Sequence, residues 1–139
     1  MNQRAATNVR AIRPMRILLV TDDHGYADEV SLAAALRGVD LELAAVGDDL
    51  DTATTLHLPN VVVLDAHDTL ARTSRTASVF AALHPRIAIV IVANRASERG
   101  VGGIRVVDKW RSAERLLSEL EGVLLGLASP AERRRSAGD

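Results

Sequence analysis

Apolar and polar positions along this chain fall into blocks. The run "MRILLVTDD", Met15 to Asp23, is mostly apolar until it ends in acids. "LELAAVGD" (Leu41 to Asp48), "VVVLD" (Val61 to Asp65), "RIAIVIVAN" (Arg86 to Asn94) and "IRVVDKW" (Ile104 to Trp110) have the same character. Runs this short and this solidly apolar predict strands of a parallel sheet covered on both faces. Helical spacing fills the intervals. "DEVSLAAALRG", Asp28 to Gly38, places Val30, Leu32, Ala33, Ala35 and Leu36 at helical intervals and stops at a glycine. "DLDTATTLHL" predicts a short helix that breaks at Pro59-Asn60, and Leu70 to His84 predicts another that ends at Pro85. From Ser112 to Ala128, Leu116, Leu117, Leu120, Val123, Leu124 and Leu127 form one stripe, with Ser112 as the candidate N-cap.

Strand and helix therefore alternate, the signature of βαβ units. One interval departs from it. Arg95 to Gly103, "RASERGVGG", has three glycines and almost no apolar face. A fourth helix there is expected to be shortened or absent. Residues 1–14 read as a flexible arm and 129–139 as a polar, Arg-rich tail, which leaves one domain over 15–128.

Composition narrows the field. A chain of 139 residues holds one domain with a sizeable core. With only Tyr26, Phe80 and Trp110 aromatic, a stacking platform for single-stranded nucleic acid is not expected. A net charge of −1 offers no basic field, so no direct nucleic-acid partner is expected. There is no cysteine, which removes disulfides and thiolate metal sites. The apolar runs are far shorter than the roughly 20 residues that span a bilayer. The polar start has no signal core, so no membrane partner and a cytoplasmic location are expected.

Ligands of open α/β sheets bind outside the carboxyl ends of the strands. Asp22 and Asp23 end the first strand and Asp65 the third. In the strand order 2-1-3-4-5 the two strands are neighbours and the three carboxylates converge. Packed carboxylates repel and raise one another's pKa values unless something positive joins them. A hard cation with oxygen ligands answers that need, so magnesium (Mg2+) is the expected cofactor. Lys109, ending the fifth strand on the same rim, is placed to neutralise a phosphoryl oxygen. His24 and His67 flank this rim. His67 joins Asp22, Asp23 and Asp65 as a candidate metal ligand, beside the plainer reading of both as exposed loop histidines.

Over Met15 to Leu127 the chain resembles the receiver domain of two-component response regulators, of the chemotaxis-regulator kind. The acid pair of "VTDD", the strand-end aspartate of "VVVLD" and the lysine of "VVDKW" stand in the family's order. Asp65 lies about as far beyond Asp23 as the family's acceptor lies beyond its acid pair. The resemblance implies a flavodoxin-like three-layer α/β sandwich with five parallel strands in order 2-1-3-4-5. It implies no enzyme but a phosphorelay component: Asp65 as phospho-acceptor assisted by Lys109, and a sensor histidine kinase or phosphotransfer protein as donor. With no DNA-binding domain among these residues, the expected output is contact with a downstream protein, with a homodimer through the last helix as a further possibility.

The sequence also departs from the family's pattern. The hydroxyl residue at the end of strand four is replaced by Val92 or Ala93, and the aromatic three residues before the lysine by Val106. Trp110 stands where the family has a cis proline, and "DAHDTLART" lacks the usual Pro-Gly loop. Because the switch residues are missing, a phosphorylation-independent pseudo-receiver that acts as a binding or dimerisation module is the alternative. A dehalogenase-type phosphatase is a lesser one. That family needs D-x-D, and here His67 holds the second position, with Asp68 one residue late. Plainer readings also stand: Asp23 as a helix cap, Asp65 as a solvated strand end, Lys109 in a surface pair with Asp108, and "ERRR" as a solvated tail.

Overall fold

Val61, Val62, Val63 and Val90 are all fully buried, and this is why the strands carry no polar face. The computed structural model describes residues 14–67, 70–94 and 103–128. Its elements are β1 (Arg16–Val20), α1 (His24–Arg37), β2 (Asp40–Ala44), α2 (Leu50–His57), β3 (Val61–His67), α3 (Leu70–Leu83), β4 (Ala88–Ala93), β5 (Arg105–Asp108) and α4 (Ala113–Ala128). The strands form one parallel sheet in the order β2-β1-β3-β4-β5. This is the expected flavodoxin-like order. The interval of the shortened helix falls largely outside the described residues, as do the tail and all of the arm but Pro14.

Alternate residues of each strand serve opposite layers. Ile17, Leu19, Val61, Val63, Val90 and Val92 pack with Tyr26 and Val30 of α1 and with Leu116, Leu117 and Leu120 of α4. Leu18, Val20, Val62, Leu64, Ile89 and Ile91 pack with Ala77 and Phe80 of α3, and Leu50 and Ala53 of α2 lie against that cluster. Each such side chain contributes about 1.5–3 kcal/mol on burial. At one edge, β2 is far less buried than the central strands, and its Asp40 and Glu42 are exposed.

Several boundaries differ from the sequence expectation, and three of them shape the site. Helix α1 starts at His24, not Asp28, because the Asp23 side chain accepts a hydrogen bond from the Tyr26 N–H and caps it. Its far end is Gly38, whose φ of 70° lies in the left-handed region that glycine adopts without penalty. Strand β2 stops at Ala44, not Asp48, because the Asp48 carboxylate takes the Ala45 N–H and Gly47 turns the chain at φ 102°. Strand β3 continues past Asp65 to His67, with a register shift between those two residues opposite β4.

Candidate functional site

The carboxyl ends of β1, β3 and β5 bring Asp23, Asp65 and Lys109 together. Lys109 Nζ lies 2.9 Å from Asp23 Oδ2 and 2.9 Å from Asp65 Oδ2. The Lys109 side chain is wholly covered and that of Asp65 is 4% exposed, so this is an interior ion pair. Lys109 is aimed there by its backbone, whose N–H bonds Ala93 O at 2.8 Å at the end of β4. Two rings flank the ammonium: Tyr26 at 5.1 Å and Trp110 at 5.3 Å to the centroids. Tyr26 is buried, whereas Trp110 is 66% exposed and lies outermost.

Thr21, the residue between β1 and the acid pair, joins the site although the apolar pattern does not mark it. Its hydroxyl donates to Asp65 Oδ2 at 2.6 Å and accepts from the Asp23 N–H at 3.0 Å. Its own N–H bonds Ala44 O at 3.0 Å, which ties the turn to the end of β2. Thr21, Asp65, Lys109 and Asp23 thus form a closed circuit of polar contacts. A hydroxyl at a strand tip beside an acid pair was the signal available in the sequence; nothing in the pattern told which way it turns.

The electrostatics follow from the circuit. Asp23 is held below the ordinary carboxylate value first by the Tyr26 N–H and then by Lys109. Burial pulls the Lys109 pKa down, but the Asp23 and Asp65 carboxylates outweigh it and the net direction is up. Burial, followed by the Asp65 charge, pushes the Tyr26 phenol up. Two of the three acids expected to converge, Asp23 and Asp65, share the Lys109 ammonium, which relieves their repulsion from within the protein.

The other candidates are placed differently. Asp22 is exposed, and its Oδ1 accepts from Val46 N–H at 2.9 Å, away from Lys109. His24 is exposed at the first turn of α1. His67 ends β3, and its side chain lies outside the described residues. Asp108 does not pair with Lys109; its carboxylate accepts from the Trp110 N–H at 2.9 Å. Among the described residues no three acidic or His side chains are set to hold a metal. Asp23 and Asp65 nevertheless converge on one cation, and magnesium commonly takes one or two carboxylates with phosphate and water. Those two carboxylates are the donors such an ion would meet beside Lys109, while the Asp22 carboxylate is bonded to Val46 N–H.

A cavity of about 740 Å³ opens beside Asp65, between the strand ends, α2 and α3. Val20, Leu64, Leu50 and Ala53 give it apolar walls, and Asp22, Thr73 and Thr76 add polar groups. Its volume lies within the usual range for small-molecule sites.

The fold has counterparts among solved structures. The chain is similar to the chemotaxis response regulator CheY4 of Vibrio cholerae, with a TM-score of 0.67 and 19% identity over 81% of this chain and 100% of that one. It is similar to a CheY-like receiver domain protein of Methanospirillum hungatei, at 0.65 and 19% over 85% and 99%. It is also similar to an atypical orphan response regulator, at 0.62 and 17% over 79% and 95%. The fold is that of response regulator receiver domains. No family model and no curated protein matches the sequence. Among the described residues no helix is long and apolar enough to cross a membrane.

Proposed function

We propose that this domain is a receiver-type signalling module in which Asp65 accepts a phosphoryl group and Lys109 neutralises the charge that moves onto it. The observation that carries this is the meeting of the Lys109 ammonium with Asp65 and Asp23 at 2.9 Å, at the rim where the fold class places ligands. The donor is a histidine kinase or a phosphotransfer protein. A carboxylate oxygen of Asp65 attacks phosphorus, the P–N bond of the phosphohistidine breaks, and the imidazole leaves and takes up a proton. Phosphoryl transfer of this kind asks mainly for positioning and charge neutralisation, and the adjoining cavity gives the donor group room. Magnesium, held by Asp23 and Asp65, would supply additional neutralisation of the phosphoryl oxygens.

Output in this reading is contact with a downstream protein in the cytoplasm, with self-association through α4 and the neighbouring Trp110. Leu125 on α4 and Trp110 are 68% and 66% exposed, which supports that surface.

A second reading, a module that works without phosphorylation, has its own support. Asp65 Oδ2 is already engaged by both Thr21 and Lys109. The end of β4, Val92 and Ala93, carries no hydroxyl. One of the similar structures is described as having a phosphorylation-independent regulatory mechanism, a statement about that protein. The two readings separate on one experiment. Incubation with acetyl phosphate and magnesium, followed by intact-mass measurement, should add one phosphoryl group to the wild type and none to Asp65→Ala. An unmodified wild type would favour the second reading.

A further inference from the structure

We infer that Thr21 is the positioning hydroxyl of this site and relays the state of Asp65 to the start of α1. The inference rests on the reading of Asp65 as acceptor and adds the route by which its change is felt.

The wiring is local and specific. The Thr21 side chain is buried, and its Oγ1 does two things at once: it donates to Asp65 Oδ2 at 2.6 Å and accepts from the Asp23 N–H at 3.0 Å. Asp23 is in turn the N-cap of α1, through Tyr26 N at 3.0 Å, and the second partner of Lys109. One hydroxyl therefore joins the candidate acceptor to the residue that begins the helix. The end of β4 has only Val92 and Ala93 to offer, both apolar and buried.

The chemistry gives the hydroxyl a reason to move. A carboxylate is a charged acceptor, and bonds to it are roughly twice as strong as neutral ones. In an aspartyl phosphate the carboxyl is an acyl group, and the negative charge sits on the phosphoryl oxygens instead. The Thr21 hydroxyl then gains more by donating to a phosphoryl oxygen than to the acyl oxygen. Rotation of that hydroxyl alters the acceptor offered to the Asp23 N–H, so the α1 cap is the first backbone feature to register the change.

The test uses beryllofluoride with magnesium as the phosphoryl mimic, on the full chain and on Thr21→Val and Thr21→Ser. Binding is followed by fluorescence of Trp110, the sole tryptophan, and the backbone response by amide chemical shifts. In the wild type the Asp23 to Ala27 amides should shift more than those of Val92 and Ala93. Thr21→Val, which keeps the shape and removes the hydroxyl, should still reach the Trp110 response, at a higher concentration of the mimic because one donor is gone, but lose the Asp23 shift at saturation. Thr21→Ser should restore it. If Thr21→Val keeps the Asp23 response, or the wild-type response centres on the end of β4, the relay is wrong and the acceptor reading stands. If neither Trp110 nor any amide responds, the acceptor reading falls and takes the relay with it.

Discussion

Lys109 and Asp65 meet inside the protein with Nζ and Oδ2 2.9 Å apart, and the same ammonium reaches Asp23. Removing one partner of a buried ion pair strands the other in a poorly hydrated place and costs about 3–5 kcal/mol. Lys109→Met should cost about that much in a urea titration, because it leaves two carboxylates facing each other. Asp65→Asn should cost less, since Asp23 remains to balance Lys109. The double variant should recover part of the Lys109→Met loss. Strict additivity would mean that the pair is not coupled.

The pH dependence has a definite sign on each side. Asp23 is depressed, so its contribution is present above the ordinary carboxylate value of 3.8 and is lost as pH falls through its lower folded value. Lys109 is raised, so its contribution is complete below 10.5 and is lost as pH rises through its higher folded value. Tyr26, raised from 10.0, acts in the same alkaline direction. Denaturation free energy measured against pH should therefore be level in the middle and fall at both ends. Lys109→Met should flatten part of the alkaline fall, and Tyr26→Phe another part.

Trp110 lies over Lys109 yet is mostly exposed, so its loss should weaken the protein without unfolding it. A cation–π contact to a desolvated ammonium such as that of Lys109 is worth about 2 kcal/mol. Sedimentation should show that Trp110→Ala weakens self-association by more than Asp65→Ala does. The reverse order would place the output at the acceptor rather than at the surface beside α4.

Leu58 closes α2 at φ 52°, a left-handed conformation that costs a non-glycine residue roughly 1–2 kcal/mol. It is 65% exposed, so little packing is lost on replacement. Leu58→Gly should be neutral to about 1 kcal/mol more stable, the gain trimmed by the extra freedom glycine gives the unfolded chain. Thermal unfolding measures it.

The sheet was legible because buried parallel strands leave continuous apolar runs, and Val61 to Asp65 is such a run. The sharing of one rim by Asp23, Asp65 and Lys109 was legible, since strand order alone brings those tips together; the direct pairing of the ammonium with both carboxylates was not. Nor was orientation. Asp22 and Asp23 are adjacent and chemically identical, yet one turns to Val46 N–H and the other to Lys109. That choice is made by a helix cap and by the tight turn after β2. The early start of α1 was hidden for a related reason: the segment His24 to Ala27 has no apolar stripe, and its helix is capped by the Asp23 side chain.

Strand order also limits what a growing chain can pair. As the chain lengthens, β1 can pair first with β2 and then with β3, and the sheet grows outward through β4 to β5. Lys109, immediately after the last strand, is the final member of the circuit to arrive. Until then Asp23 and Asp65 face each other without their cation, and like charges oppose the closing of β1 against β3. Parallel pairing between strands distant in sequence is already slow. Docking of β5 therefore does more than complete an edge. It delivers the charge that balances Asp23 and Asp65, and a nascent chain stopped short of Lys109 should remain loose at its centre for want of both that charge and the α4 leucines.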